Sequence, residues 1–242
     1  MPSTVTWVGG TSGDFNTAAN WDTAAVPVAG DSIIFDRGTR NLDTNLDQSA
    51  VTFVNISFRK AYGGQAGNSV ATPFKFGVSG KLLIEGGGSR LYLGGGTIVT
   101  TIMRGAGSDY GREVHLAGTL TTVTFQRGLL YLESGTTTTM VVDPLRDAEN
   151  PGTGCVCYGI TPTVTTLNQF GGNFILQSAG TITTLENAGG LTQIDTGTLT
   201  TCNLRSPASR VDWRSTTTLT TLLVYKGIFD ASESAAARTI TS

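Results

Sequence analysis

The chain has 242 residues, of which 14% are charged, and its formal net charge is −2. No basic patch is present to hold a phosphate backbone, and no apolar run approaches the roughly 20 residues of a membrane-spanning helix. The low charge and the 32 glycines disfavour a helical protein, whose exposed faces need Ala, Leu, Glu and Lys. We therefore expect an all-β protein that binds neither nucleic acid nor membrane.

The segment 1–40 places large rings among Gly and Asn turns, at Trp7, Phe15 and Trp21. Asp31 to Phe35 then reads as a first strand. Met1 to Gly10 contains neither a Lys/Arg cluster nor a long apolar run. We therefore expect no signal peptide, and synthesis and assembly in a cytoplasm.

Short motifs run through this segment: Thr6-Trp7-Val8-Gly9-Gly10, Gly13-Asp14-Phe15-Asn16, Ala19-Asn20-Trp21, Val26-Pro27, Gly30-Asp31 and Ile33-Ile34-Phe35. They resemble the opening segment of β-helix proteins of phage virions and of autotransporter-like bacterial surface proteins with β-strand repeats. In the surface proteins a signal peptide usually precedes this segment, whereas this chain starts at Met1-Pro2. That difference favours the phage proteins. The resemblance then implies a virion component, such as a capsid decoration or head-fibre protein.

One five-residue sequence motif, Thr-x-Thr-Thr-apolar, recurs through the rest of the chain, and we call it the phrase. It starts at Thr119, Thr163, Thr181, Thr198 and Thr218, with looser copies from Thr97 and Thr136 and a truncated copy from Thr239. A constant phrase with variable spacing is typical of a solenoid, which tolerates insertions between its repeats. The widest spacing between copies, from Thr136 to Thr163, contains the polar, turn-rich stretch from Asp143 to Gly152. We predict that this stretch is an inserted loop.

The apolar positions of the phrase are three apart, as in Val164 and Leu167. Side chains alternate faces in a flat strand, so both can point inward only if the chain bends between them. The pattern therefore predicts a single-stranded parallel β-helix, taken as right-handed, with coils of about 17–22 residues.

Aligning the coils predicts which side chains share an inward column. The first column holds Val164, Ile182, Leu199 and Leu219, and the second holds Leu167, Leu185, Cys202 and Leu222. Gly171-Gly172 aligns with Gly189-Gly190, which predicts a tight corner. Beyond this corner, Phe174 and Leu176 are expected to align with Leu191 and Ile194.

We divide the chain into a capping segment with the first strand, 1–40, and a β-solenoid, 41–242. The far end has no comparable cap, because Ala235-Ala236-Ala237 and a half-copy of the phrase complete the chain. An open strand edge promotes aggregation, so we expect a partner to cover this end. The preferred partner is the chain itself in a symmetric homo-oligomer, with a trimer favoured.

No pattern predicts a catalytic residue, a cofactor site or a metal site. His115 is the single histidine, and we expect an exposed side chain, since no Gly-x-Ser-x-Gly motif suggests a triad around it. Glu113 and Glu133 lie at similar offsets after the phrase. They are either an acid pair of the kind found in polysaccharide-cleaving β-helices or separate solvated side chains.

Two further residue groups have alternative interpretations. Three cysteines, Cys155, Cys157 and Cys202, form neither a disulfide framework nor a zinc motif, and we expect buried or partly buried free thiols. Arg and Tyr positions before and after Thr97 form either an interface patch or scattered surface residues. These positions are Arg90, Tyr92, Arg104, Tyr110 and Arg112.

The leading functional expectation is a structural virion protein without enzymatic activity, which acts by binding and shape and has the major capsid protein or another virion protein as its partner. One alternative is a tailspike-like module that binds or degrades polysaccharide, with a cell-surface glycan as its ligand. A second alternative is a bacterial surface adhesin.

Overall fold

The computed structural model describes residues 2–86, 88–105, 112–144, 146–147, 150–151, 155–233 and 240. Within these residues the chain is all-β, with fifteen strands and one short 3₁₀ turn, Ala18–Asn20. The strands stack in parallel as a β-solenoid of about 10 turns, which confirms the predicted fold class. The right-handed sense remains a prediction. In the described part of the chain, no helix has the length and hydropathy needed to span a bilayer.

The chain divides into two compact units, Met1–Thr121 and Thr122–Ser242. The N-terminal unit contains β1 (Thr4–Trp7), β2 (Ser32–Phe35), β3 (Asp47–Phe58), β4 (Phe74–Ile84) and β5 (Leu91–Met103). Strand β6 (Val114–Phe125) begins in this unit and ends in the next. The C-terminal unit continues with β7 (Gly128–Val142), β8 (Arg146–Asp147), β9 (Asn150–Pro151), β10 (Cys155–Gln169), β11 (Asn173–Leu176), β12 (Thr181–Asn187), β13 (Gly190–Ile194), β14 (Thr198–Trp213) and β15 (Thr221–Asp230).

Aromatic rings fill the start of the N-terminal unit. Trp7 pairs with Phe35 and Phe35 with Phe58 in parallel register. The rings of Phe35 and Phe58 stack with centroids 4.6 Å apart, and Trp21 packs edge-on against Trp7 at 5.0 Å. The first forty residues therefore supply two ladder strands together with a buried ring cluster. The boundary between cap and solenoid at residue 40 stays a prediction.

The recurring phrase forms the inward columns of the C-terminal unit. Val164 pairs with Ile182 and Ile182 with Leu199, so successive coils lie 18 and 17 residues apart here. These three side chains and that of Leu219 are fully buried. The pairing is interrupted at Thr165, between the two buried positions of its coil, which is where the predicted bend has to lie.

The second inward column is confirmed up to the last coil. Leu167 pairs with Leu185 and Leu185 with Cys202, and all three are fully buried. Cys202 thus occupies an aliphatic position of the core, as predicted. Leu222 pairs with Cys202 but is only half-buried, because no further described strand lies beyond it in this column.

The predicted loop in the widest spacing contains a small antiparallel hairpin in which β8 pairs with β9. The predicted glycine corner is also present, with positive φ angles of 67° at Gly172 and 85° at Gly190. A Cβ atom at Gly190 would collide with the carbonyl oxygen of Gly172 in the coil before it. Both the backbone conformation and the close approach of two coils therefore require glycine here.

Of the two alignments predicted beyond the corner, that of Leu176 with Ile194 is confirmed and that of Phe174 with Leu191 is wrong. Phe174 pairs with Thr192, and Leu191 pairs with Asn173 on the outward side. Leu191 is half-buried, whereas Thr192 is fully buried in the inward position. The polar side chain takes this place because neighbouring polar groups bind it, as described below.

Candidate functional site

Three fully buried polar side chains, Gln169, Asn187 and Thr192, form a network behind the glycine corner. The Thr192 hydroxyl donates to Gln169 Oε1, and Asn187 Nδ2 donates to Thr192 Oγ1 at 3.2 Å. Gln169 Nε2 donates to the carbonyl oxygens of Leu191 and Gly172 at 2.9 and 3.0 Å. Because these groups bind one another and the backbone, the network stabilises the corner rather than offering a free group to a substrate.

A second cluster lies in the N-terminal unit. Arg90 Nε lies 2.6 Å from Glu113 Oε1, and His115 Nε2 lies 3.8 Å from the same oxygen. The rings of Tyr92 and His115 stack with centroids 4.7 Å apart. The Glu113 carboxylate raises the pKa of Arg90, as expected for a close ion pair.

This cluster corrects two expectations. The side chain of Glu113 is only 6% exposed and that of His115 only 14%, so neither is a solvated surface group. Glu113 is buried because Arg90, one coil earlier, neutralises it. Glu113 and Glu133 belong to different units, and the acid pair stays one of the two alternatives.

The five Arg and Tyr positions of the predicted patch do not share one environment. Arg104 and Arg112 are exposed, while Tyr110 lies outside the described residues. Arg90 and Tyr92 are engaged in the contacts above. An interface patch at these positions stays one of the two alternatives.

The three cysteines are buried free thiols, as predicted. Burial raises the pKa of Cys155 and of Cys202 to about 12. Burial also raises the pKa of Cys157 well above its ordinary value. Since the thiolate is the reactive form, burial disfavours all three as nucleophiles at neutral pH.

We expect the thiols to be protected from a disulfide reagent in the native protein at pH about 7 and to be titrated fully once denaturant is added. The absorbance of the thiolate released from the reagent gives the number of reactive thiols in the native and in the denatured protein. Rapid native labelling of Cys157 would contradict the burial of this strand. An introduced cysteine at the exposed Val28 provides a positive control for reagent access.

Arginines of β14 bind acids of the coils on either side. Arg205 Nε lies 2.6 Å from Glu186 Oε2 in the preceding coil, and its guanidinium lies 5.5 Å from the ring centroid of Tyr225 in the following coil. Arg210 reaches Asp230 of the following coil at 3.3 Å. These contacts connect the last described strand, β15, to the rest of the C-terminal unit.

The Glu186 contact predicts an acid-sensitive end of the solenoid. Burial alone would raise the pKa of Glu186, but hydrogen bonds from Arg205 and Asn203 outweigh burial and lower it below 4.5. A lowered folded-state pKa stabilises the protein above the unfolded-state value, and this stabilisation is lost as the pH falls through the folded-state value.

We therefore expect the melting temperature to fall as the pH drops from about 5 to about 3, and the Glu186→Gln variant to lose part of this dependence. Thermal denaturation followed by circular dichroism measures both slopes. Equal slopes for the two proteins would contradict the assigned ion pair. Asp143→Asn is the control for removing an exposed carboxylate elsewhere in the C-terminal unit.

The last described strand also carries exposed apolar side chains. Within the described residues β15 pairs only with β14, so one backbone edge has no strand beside it. Its exposed large apolar side chains are Leu223, Val224, Tyr225 and Ile228. Of the far end discussed above, only Ile240 is described; it bridges to Leu219 and is exposed.

No cluster described so far has the form of a catalytic or metal centre. Among the described residues, no group of three or more His, Cys, Asp or Glu side chains could hold a metal ion. A depression of about 450 Å³ in the N-terminal unit is lined by Val8, Gly9, Thr39, Arg40, Asn41 and Asp43. In the C-terminal unit, the outward rings of Tyr131 and Tyr158 stack at 5.1 Å.

The fold and these clusters define the class of this protein as a parallel β-solenoid whose polar clusters connect neighbouring coils. No protein-family model, no curated protein and no solved structure matches the chain.

Proposed function

We propose that the chain is a structural protein of a virus particle, a capsid decoration or head-fibre protein that acts by binding and shape. The observation that supports a mechanical role is the ladder of parallel, in-register coils over filled inward columns. Such a stack is stable only as an array and resists bending because each coil binds two neighbours. The placement on a virion is supported by the resemblance of the opening segment.

The proposed assembly is a homo-oligomer, with a trimer favoured, joined through the end that β15 forms. Among the described residues no strand lies beside its second backbone edge, and this edge and the exposed apolar side chains suit a second copy of the chain or a capsid protein. Enzymatic activity, cofactors, nucleic acid and membranes have no part in this proposal.

Assembly is tested by sedimentation of the wild type and of a Leu223→Ser, Tyr225→Ser variant. We expect the wild type to sediment as a multiple of the 25.2 kDa chain and the variant to shift towards the monomer. Val28→Ser is the matched control, since Val28 is an exposed apolar residue of the N-terminal unit. A wild type that stays monomeric at every concentration contradicts the oligomer.

Location is tested by immunogold labelling of particles purified from the organism that makes the chain. Labelling of particle surfaces is the expected result. Recovery of the chain solely in the particle-free fraction contradicts a virion role and favours the adhesin or a free binding module.

A second candidate is a polysaccharide-binding module, which the outward Tyr131–Tyr158 stack favours because aromatic rings pack against sugar rings. Glycan-array binding that is lost in Tyr158→Ala and kept in Asn168→Ala supports it. Absence of binding to any glycan on the array removes this candidate.

A further inference from the structure

One outward side of the C-terminal unit has an unusually uniform composition. Five consecutive coils contribute five-residue segments to it: 134–138, 161–165, 179–183, 196–200 and 216–220. The first, third and fifth side chain of each segment is exposed or half-exposed. Of these fifteen positions thirteen are threonine, and the other two are Ser134 and Ala179. We call these segments the threonine face.

The threonine face repeats in register along the solenoid. Thr136 pairs with Thr163, Thr163 with Thr181 and Thr181 with Thr198. The backbone hydrogen bond from Thr220 N to Thr200 O, 3.0 Å long, extends the order to the fifth coil. The hairpin of β8 and β9 and the register shift between Arg205 and Arg210 lie outside the five segments. The face is therefore not interrupted by an insertion.

The buried columns make the face stiff. Val164, Ile182, Leu199 and Leu219 lie directly between the outward threonines of their segments and are fully buried. Threonine has few χ1 rotamers, so hydroxyl and methyl groups can be held in one repeated orientation. A partner would then bind a surface that needs little further ordering, which lowers the entropic cost of binding.

The composition of the face excludes several kinds of partner. None of the 25 residues in the five segments is charged, so an ionic surface or a phosphate backbone has nothing to pair with. None is aromatic, so sugar rings have no stacking platform here. The complementary surface is itself uncharged, rich in hydrogen-bonding groups and periodic in two directions.

The spacing of the threonine side chains indicates which uncharged, hydrogen-bonding surface is complementary to the face. Neighbouring strands lie about 4.8 Å apart, and the first and third side chains of a segment that lies within one strand, such as Thr161 and Thr163 of β10, lie about 6.7 Å apart. These two spacings are close to the two oxygen repeats in the prism plane of hexagonal ice. We propose that the threonine face binds ice. Each hydroxyl contributes only about 1 kcal/mol net, but contacts made together along a rigid array add up to firm adsorption.

Ice binding is measured on the full chain as thermal hysteresis and as retention of the protein in a slowly growing ice front. We expect the wild type to show hysteresis and to be enriched in the ice. The variant Thr163→Tyr, Thr181→Tyr places two rings in the middle of the face and is expected to reduce retention several-fold. Asn168→Tyr is the matched control on the adjoining side of the same coil, and it should retain the wild-type value.

Two outcomes overturn the proposal. One is exclusion of the wild type from ice with no hysteresis, and the other is equal retention of the double variant and the control. If the double variant does not fold, Thr163→Val, Thr181→Val keeps the side-chain shape and removes the hydroxyls, and it should also reduce retention. A second copy of the chain is the competing occupant. Sedimentation that shows face-dependent association, without ice retention, would assign the face to self-association instead.

Discussion

Replacing Leu185 by Asp is expected to destabilise the protein by roughly 4 kcal/mol or more, enough to unfold many domains of this size. Leu185 is fully buried between Leu167 and Cys202 in an inward column. An aspartate there would carry an unpaired charge in apolar surroundings, or it would stay protonated because burial raises its pKa above the ordinary value. Equilibrium denaturation in urea measures the loss.

The adjoining residue provides the control. Thr184 lies on the outward side of the same strand, so Thr184→Asp should change the free energy of unfolding by no more than about 0.5 kcal/mol. Leu185→Ala should lie between the two, at about 2–5 kcal/mol, since it leaves a cavity but no charge. If all three variants were equally stable, the inward column would not exist.

Replacing Gly190 by Ala is expected to be the second most damaging change, at about 3 kcal/mol. The positive φ of 85° already disfavours alanine, and its Cβ would also collide with the backbone of Gly171 and Gly172 in the neighbouring coil. Backbone atoms cannot rotate aside as a flexible side chain can, so the two coils would have to separate.

A glycine elsewhere separates these two effects. Gly30 has nearly the same φ, 89°, but a Cβ there would meet nothing within 4 Å. Gly30→Ala should therefore show the conformational penalty alone, about 1–2 kcal/mol. Equal losses at Gly30 and Gly190 in urea denaturation would contradict the close approach of successive coils at the glycine corner.

The stacking of the phrase could be predicted from the sequence because it depends on residues that recur in the same order. The three-residue spacing of Val164 and Leu167 requires a bend, and the bend requires a closed coil. Cys202 was recognisable as a core residue because it replaces leucine at a fixed place in the phrase.

The inward position of Thr192 could not be predicted in the same way. Its burial depends on Gln169 and Asn187, which belong to two neighbouring coils and surround it only after the coils have stacked. A single strand gives no sign that a polar side chain will find such partners. The hydrophobic pattern therefore favoured Leu191, one residue too early.

The ion pair between Arg90 and the buried Glu113 was missed although the sequence contains a signal for it. Arg90 and Glu113 each precede an apolar-ring-apolar triplet, Leu91-Tyr92-Leu93 and Val114-His115-Leu116. Aligning these triplets places Arg90 beside Glu113 and Tyr92 beside His115, as the structure does. Function was less predictable, because the resemblance of the opening segment concerns a fold that serves several roles.

The central claim, that coils 18 residues apart stack in parallel register, is tested most directly by a disulfide between Asn168→Cys and Glu186→Cys. These outward residues pair across β10 and β12, at a Cα separation of about 4.8 Å that a disulfide can span. We predict rapid intramolecular crosslinking of this pair, seen as a mobility shift on non-reducing gels. The displaced pair Asn168→Cys with Thr184→Cys should not crosslink, because its Cα atoms lie beyond about 7 Å. Crosslinking of the displaced pair, or of neither, would contradict the solenoid register.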